Sequence, residues 1–419
     1  MHIVSASNSL LSPSQAKCAA TELAPDQIPL SRAAWKAITD EEDTYDRAWM
    51  AVAPFFLAQG YELHIAYDRF ARTLAPKCMV EDKDPDEFGM IGNFVFVPPF
   101  ELFGAAYTWP ATEVSTGRQV LIRAITHIND PPPPNDTTDL LSVYKYLLSV
   151  IPPDEPRNHI MLPFKFIEHM GWTFGVFPRW GDIQTGHRGF DMQEVGEEVD
   201  FLVQISEGLA YLHSLGIAHN LVHEDSFVRN IFGAEHAHPQ WPIYRAFEPT
   251  TLPIRYGIVL HSIVRFVGTS AQLADEENLV HTDGKNTGMK GVPALPHKVN
   301  SCVHSNPKGK SREAASVNLY LARDVYLLGT MIRACMLPLF PHIPELDPFT
   351  LRMISEGRED RPTMEEVHQC FLNIQTSLTS EVKERECLME FVTTWPEVNE
   401  EIEELHNYCC DSLNYVSPS

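Results

Sequence analysis

Long apolar runs are missing from this 419-residue sequence. No stretch reaches the roughly 18 residues that a membrane-spanning helix needs. The first part of the chain also lacks a basic start followed by an apolar segment, as in a secretory signal peptide. Basic residues are few: the chain has 32 Lys and Arg but 56 Asp and Glu, and its net charge is therefore −24. That charge opposes binding to nucleic-acid phosphates and anionic membranes. We therefore expect a cytoplasmic or nuclear protein that binds neither nucleic acid nor membrane.

Cysteine pairs with the spacing of metal or redox sites are missing as well. The 8 cysteines include no CxxC pair, and the adjacent Cys409 and Cys410 fit neither a zinc site nor a regular disulfide framework. This pattern predicts a reducing compartment and no metal site built from cysteine. By contrast, the 44% hydrophobic content is enough for a sizeable core.

The first part of the chain is predicted to be an arm followed by helix. Residues 1–32 are rich in Ser, Ala and Pro and are expected to form a disordered arm. Residues 33–90 are expected to form a helical N-terminal extension, because apolar residues recur there at helical spacing. Gly60 is expected to end the helix before an extended piece.

Residues 91–180 show mainly the alternation that is typical of strands. A turn at residues 115–117 separates two strand-like runs, which predicts a hairpin. One helix is expected from Leu140, with Thr138 or Asp139 as its N-cap. Two further strands are expected after it.

Residues 181–375 are predicted to be mainly helical. A long amphipathic helix is expected over residues 192–215, ended by Gly216. Residues 268–316 lack periodicity and are expected to form a long loop. An acidic helical tail is expected over residues 376–419. Strands that come before helices predict an α+β fold.

Five segments, taken in order, resemble the motifs of protein kinases. They are GLAYLHSLGIAHN, HEDSFVRNIF, RYGIVLHSIVRF, DVYLLG and RPTMEEV. The chain resembles in particular the divergent kinase-like proteins of basidiomycete fungi, over about residues 45–375. The resemblance implies a two-lobed fold, with a small β-rich N-lobe at residues 91–180 and a larger helical C-lobe at residues 181–375.

The resemblance places a catalytic loop at residues 223–230. Asp225 then stands where the family's aspartate orients the substrate hydroxyl, and Asn230 where an asparagine holds the second Mg²⁺. A second register is open, because His219 in YLHSLGIAH also stands at the place of the loop histidine. The spacing between aspartate and asparagine favours His223 as that histidine.

Other positions in this register depart from the family pattern. Glu224 replaces the arginine that receives an activation-loop phosphate, and a carboxylate would repel that phosphate. Phe227 replaces a phosphate-contacting lysine. Leu260 stands where the family has its principal metal-binding aspartate, and leucine offers no oxygen ligand for Mg²⁺. We therefore expect no metal site.

The small lobe also lacks parts of a nucleotide site. Arg123 stands at the position of the family's strand lysine, and Leu140 at that of its glutamate partner. Gly104 is alone where the family has a glycine-rich loop. An ion pair and a cradle of backbone amides are both expected to be missing.

Three positions of the large lobe match the family's scaffold. Asp324 matches an aspartate that accepts hydrogen bonds from catalytic-loop amides, here expected near His223 and Glu224 at the start of a buried helix. Gly329 is expected to allow close helix packing. Arg361 matches an arginine that pairs with a glutamate of the activation segment, but no clear partner is found in the sequence.

These replacements predict a pseudokinase, which acts as a binding or scaffolding module for a protein partner that the sequence does not name. ATP and Mg²⁺ are expected to bind weakly or not at all. One alternative is an atypical ATP-dependent serine/threonine kinase that uses Asp225 and Arg123. Another is a small-molecule kinase of the aminoglycoside or choline type, which would still need an aspartate where Leu260 stands.

Overall fold

A computed structural model of the chain describes residues 28–39, 47–63, 89–90, 107–132, 139–182, 192, 194–232, 254–267 and 310–385. The helices of these ranges are α1 (Arg32–Thr39), α2 (Arg47–Ala58), α3 (Leu140–Val150), α4 (Val195–Ser214), α5 (Lys310–Cys335), α6 (Leu346–Met353), α7 (Met364–Ser377) and α8 (Ser380–Lys383). The strands are β1 (Tyr61–Leu63), β2 (Gly89–Met90), β3 (Thr108–Glu113), β4 (Gln119–His127), β5 (Lys165–His169), β6 (Trp172–Pro178), β7 (Gly181–Asp182), β8 (Ile217–Ala218), β9 (Phe227–Arg229), β10 (Ile231–Phe232), β11 (Tyr256–Ile258) and β12 (Arg265–Phe266).

A five-stranded antiparallel sheet, in the order β1-β3-β4-β6-β5, dominates the first half of the described chain. The turn between β3 and β4 contains Gly117 at φ +72°, a conformation that glycine adopts without steric cost. Met170 and Gly171 join β5 to β6, also with positive φ. Both strand pairs expected from the sequence are confirmed.

Helices α1 and α2 cover one face of this sheet with aromatic side chains. Trp35 and Trp49 are completely buried, and their ring centroids lie 5.1 Å apart in an edge-to-face arrangement. Trp172 of β6 lies 4.8 Å from Trp35 and donates its indole N–H to the Pro29 carbonyl at 2.6 Å. The two helices therefore share a core with the sheet.

This arrangement changes two boundaries expected from the sequence. Ile28 is buried in the same core as Trp35, and α1 begins at Arg32, so packing on the core starts inside the segment expected to be a disordered arm. Residues 1–27 lie outside the described residues. Strand β1 pairs with β3, so the segment expected as a separate extension over residues 33–90 supplies an edge strand of the sheet.

Helix α3 covers the opposite face of the sheet. Successive β4 residues alternate between the faces, so Val120 and Ile122 pack toward α2, whereas Leu121 and Ile125 pack toward α3. Asp139 caps α3 by accepting the Ser142 N–H at 3.0 Å, which confirms it as the N-cap.

The second half of the described chain is mainly helical around a core centred on α4. Gly216, at φ +75°, follows the end of α4, as expected. Helix α7 starts with a capping box of Thr363 and Glu366. Helix α5 begins at Lys310, inside the segment expected to be a loop up to residue 316. Residues 268–309 and 386–419, which include most of the predicted loop and tail, lie outside the described residues.

Within the described ranges, no helix combines the length and the apolar character needed to cross a membrane.

Candidate functional site

The Asp324 carboxylate joins α5 to the loop that follows β8. It is completely buried; its Oδ2 accepts the His219 N–H and its Oδ1 the Asn220 N–H, both at 2.7 Å. The Nε2 of His213, at the end of α4, lies 2.8 Å from Oδ2. The sequence predicted that the Asp324 carboxylate accepts hydrogen bonds from backbone amides near His223 and Glu224. The amides are those of His219 and Asn220 instead, so this detail is wrong. The predicted position of Asp324 at the start of a helix is also wrong, because it lies well inside α5.

Ser226 closes the same loop. Its Oγ donates to the Leu221 carbonyl at 2.6 Å and lies 3.1 Å from Nε2 of His261. The Ser226 carbonyl accepts the Val259 N–H at 2.8 Å. His219 adds a bond from Nε2 to the Val259 carbonyl at 2.9 Å, while its Nδ1 accepts the Leu221 N–H. Burial lowers the pKa of His219, so this ring is neutral near pH 7. The segment 219–226 is thus held at both ends by buried hydrogen bonds.

His223 lies between two carboxylates on the outer side of this loop. Its Nε2 is 2.9 Å from Glu224 and its Nδ1 is 3.5 Å from Asp225, whose side chain is 51% exposed. Burial opposes the charged ring, but the hydrogen bonds to Asp225 and Glu224 outweigh it and raise the pKa of His223 to about 10. His223 is therefore an imidazolium at neutral pH.

The charge of His223 gives a pH-dependent stability. Because its folded-state pKa is above the unfolded value, its contribution is fully present below about pH 6.5 and is lost as the pH rises through about 10. We expect His223→Gln to lower the free energy of unfolding by about 1 kcal/mol at pH 6, since Asp225 is half exposed. Urea unfolding at several pH values measures this, with Asp225→Asn as the partner variant of a double-mutant cycle. A loss that stays constant from pH 6 to pH 10 would contradict the assignment.

Asn230 belongs to a strand pair. Its Oδ1 accepts the Arg255 N–H, and its own N–H donates to the Arg255 carbonyl, both at 2.9 Å. It follows β9 directly and is buried at the end of the β9–β11 ladder. Asp225 has its described contact with His223 instead. Asp225, predicted to orient a substrate hydroxyl, and Asn230, predicted to hold Mg²⁺, thus have different described partners.

Arg123 lies where β4, α3 and the segment after β11 meet. The buried guanidinium donates from Nη1 to the Leu260 carbonyl at 2.7 Å and to the Tyr144 hydroxyl at 3.3 Å. Burial lowers the pKa of Arg123 and raises that of Tyr144, but an arginine remains protonated in proteins. Among the described residues no carboxylate forms an ion pair with Arg123. Leu140 packs in the core, and Tyr144 is the α3 residue that contacts Arg123.

The segment around Leu260, which stands at the metal-binding aspartate of the kinase resemblance, is apolar or neutral. Leu260 is completely buried, and the neighbouring His261 is buried as well. Burial, together with the nearby charges, lowers the pKa of His261 well below its ordinary value, so this ring is also neutral. Within the described part of the chain, no three His, Cys, Asp or Glu side chains are grouped to hold a metal ion.

A cleft opens beside Arg123. Its empty space, counted out to the open mouth, is about 350 Å³. The side chains that line it are mainly apolar or aromatic: Thr108, Leu121, Arg123, Tyr144, Met161, Phe177, Pro178, Trp180 and Val259. Gly104, expected to be the remnant of a glycine-rich loop, lies outside the described residues.

The two other scaffold positions have packing roles. A Cβ added to Gly329 would lie 2.7 Å from the Cβ of Met353, so glycine lets α5 approach the end of α6 closely. Arg361 donates to the carbonyls of Ser355 and Ala322 and stacks over Tyr326. Within the described residues, these are the partners of Arg361, and none is a carboxylate.

Tyr144 and Ser226 were not predicted as site residues. Tyr144 lies one turn after Leu140, so helical periodicity places both on the same face of α3. The hydroxyl of Tyr144, on an otherwise apolar face of α3, was the sequence signal that could have identified it as a site residue. Ser226 was missed because the register that begins at His223 was preferred. The register that begins at His219 places Ser226 at the position of the family's asparagine.

Comparisons with known proteins add little to this geometry. No protein-family model matches the chain. No curated protein matches it either. Among solved structures, the Rad53 kinase domain with SCD2 is similar at a TM-score of 0.37 and 12% identity, over 67% of this chain and 92% of that chain. The Rad53 kinase domain and SCD2 in complex with AMPPNP is similar at a TM-score of 0.34, with the same identity and coverage. A TM-score below 0.5 does not establish a common fold, so we base the interpretation on the residues themselves.

Proposed function

We propose that this chain is a kinase-like protein that binds or scaffolds a protein partner in the cytoplasm or nucleus and does not transfer phosphate. The five-stranded sheet with α3 corresponds to a small lobe, and the helices from α4 to α7 to a large lobe. The supporting observation is the buried Asp324 carboxylate, bonded to the amides of His219 and Asn220. In the kinases that the sequence resembles, the aspartate that Asp324 matches likewise accepts hydrogen bonds from the backbone amides of the catalytic loop.

The Asp324 bonds favour the loop register that begins at His219. Each loop position then lies four residues earlier than in the register that begins at residue 223. Leu221 takes the place of the aspartate that accepts the substrate proton, and Ser226 that of the metal-binding asparagine. Asn220 takes the place of the arginine, and His223 that of the phosphate-contacting lysine. Leucine cannot act as a general base, so this register removes the central group of phosphoryl transfer.

The residues around Arg123 do not fit Mg²⁺-ATP. Mg²⁺ requires oxygen ligands in octahedral geometry, and Leu260 presents a buried hydrocarbon side chain where the family has a carboxylate. Arg123 bonds to the Tyr144 hydroxyl instead of a helix glutamate. Since a polyphosphate needs several positive charges to offset its desolvation, one guanidinium is too little.

The proposal predicts that the protein transfers no phosphate. With labelled ATP and Mg²⁺, we expect no incorporation into the protein itself or into casein, kanamycin or choline, which cover both kinase alternatives. The exposed Asp225 beside the His223 imidazolium is the feature that favours an atypical kinase. Transfer that disappears in Asp225→Asn but persists in the matched neighbour Glu224→Gln would overturn the proposal in favour of that alternative.

A further inference from the structure

The cleft beside Arg123 has almost no room inside it. Of its empty space of about 350 Å³, the part that the centre of a water molecule can enter is about 20 Å³. One water needs roughly 10–15 Å³ on that measure, so the interior has space for about one water molecule. The depth of the cleft is therefore taken up by the protein's own side chains.

Met161 and Trp180 fill the cleft from the side of β11. Both side chains line the cleft and are buried. They lie directly against the α-carbon of Gly257, since a Cβ added there would be 2.6 Å from Sδ of Met161 and 3.0 Å from Cε3 of Trp180. Non-bonded carbon atoms pack best at about 3.5–4.0 Å, so a side chain at position 257 would push both residues away. Glycine in β11 thus allows the two side chains to fit.

Backbone hydrogen bonds hold Met161 in this place. Its N–H donates to the Ile258 carbonyl at 2.8 Å, and the Ile258 N–H donates to the His159 carbonyl at 2.6 Å. On the opposite wall, Arg123 of β4 donates to the Leu260 carbonyl at 2.7 Å. The segment that contains β11 is therefore tied to both walls of the cleft.

One buried apolar cluster runs through the cleft and joins the five-stranded sheet to the helices around α4. It includes Met161 and Trp180. Its other members come from both sides, among them Leu121, Tyr144 and Phe177 of β4, α3 and β6, and Leu212, Ile217 and Val228 of α4, β8 and β9. Opening the cleft would separate these side chains and expose their apolar surface to water, which is unfavourable.

We propose that Met161 and Trp180 form a built-in plug, seated on Gly257, that keeps this cleft closed in the native protein. The plug takes the space that a ligand fills in an open cleft, and it holds the sheet against the helices around α4 without one. This inference goes beyond the proposed function. The residues around Arg123 do not fit Mg²⁺-ATP because of their charge and ligand set, whereas the plug excludes small molecules of any charge.

Exchange of the tryptophan indole N–H groups with solvent tests the plug, followed by NMR on the ¹⁵N-tryptophan-labelled protein. The Trp180 N–H has no hydrogen-bond partner among the described residues, so closure of the cleft is what protects it. The Trp172 N–H, which donates to the Pro29 carbonyl, is the internal reference. We expect both to exchange at least about a thousandfold more slowly than in the unfolded chain, and within about tenfold of each other. Trp180→Phe and Trp172→Phe assign the two signals.

Two variants disturb the plug in opposite ways. Gly257→Ala adds a methyl group under it and should speed the exchange of Trp180 at least about tenfold relative to Trp172. Met161→Ala cuts the plug back without adding an atom and should change the ratio of the two rates in the same direction. Gly329→Ala is the matched control, because its added Cβ would lie 2.7 Å from the Cβ of Met353, between α5 and α6. It should leave the ratio unchanged.

A Trp180 N–H that exchanges within about a thousandfold of the unfolded chain, or more than about tenfold faster than that of Trp172, would overturn the inference. A ratio that stays unchanged in folded Gly257→Ala or Met161→Ala protein would do the same. The measurement on the unmodified protein decides the matter even if neither variant folds. It contains no nucleotide or metal, so its failure is distinct from that of the proposed function, which is tested by phosphate transfer.

Discussion

Replacing Asp324 with alanine should lower the free energy of unfolding by about 3–5 kcal/mol. The carboxylate is completely buried and accepts the N–H groups of His219 and Asn220, as well as a bond from His213. Alanine would leave two buried N–H groups unpaired, at a cost of about 1–3 kcal/mol each. Urea unfolding followed by circular dichroism measures the change.

Two control variants separate this effect from a general loss of charge. Asp154→Ala, at an exposed turn, should change stability by about 0.5 kcal/mol or less. Asp324→Asn retains one carbonyl acceptor and should lose less than Asp324→Ala. If Asp324→Ala stayed as stable as Asp154→Ala, the buried carboxylate would not hold the 219–226 loop, and the preferred register would lose its support.

Replacing Trp49 with alanine should cost a similar amount, about 3–5 kcal/mol. Trp49 is completely buried on α2 and packs against Trp35 at 5.1 Å and Trp109 at 6.0 Å between ring centroids. Its removal leaves a cavity between the helices and the five-stranded sheet. The prediction tests whether the helices before β1 are part of the folded core.

Leu57 of the same helix supplies the matched control, because its side chain is 58% exposed. Leu57→Ala should change the free energy of unfolding by about 0.5 kcal/mol or less. The same urea experiment compares both variants. A Trp49→Ala protein as stable as Leu57→Ala would mean that α2 is an appendage and that the sheet folds without it.

Local rules of backbone chemistry predicted many of the element ends. Gly60, Gly117 and Gly216 each have positive φ at the end of a helix or in a hairpin turn, where glycine avoids a steric cost. Asp139 caps α3 as its side chain and position indicated. These signals lie within a few residues of the structure they specify, so one segment of sequence is enough to recognise them.

The loop register depends on contacts that no local pattern contains. Asp324 binds the His219 amide across a sequence separation of 105 residues. The match of Asp225 and Asn230 to a familiar spacing favoured the other register, although Asn230 serves the β9–β11 pair. Spacing alone cannot tell a catalytic loop from a loop that leads into a strand.

The boundary of the N-terminal region was missed for a similar reason. Trp35, Trp49 and Trp172 come from three separate segments and meet in one aromatic cluster. Helical periodicity indicates that α1 and α2 have an apolar face but not what covers it. The short β1 gave no signal strong enough to place it in the sheet.

Titration of ATP into the unmodified protein, with Mg²⁺ and then with EDTA, tests the central claim most directly. A ligand present at 100 times its dissociation constant raises stability by about 2.7 kcal/mol, so thermal unfolding at millimolar ATP gives an independent readout. We expect no Mg²⁺-dependent heat of binding and no Mg²⁺-dependent rise in melting temperature, because Leu260 and Leu221 supply no oxygen ligand or base. Saturable binding of ATP that requires Mg²⁺ would contradict the pseudokinase account.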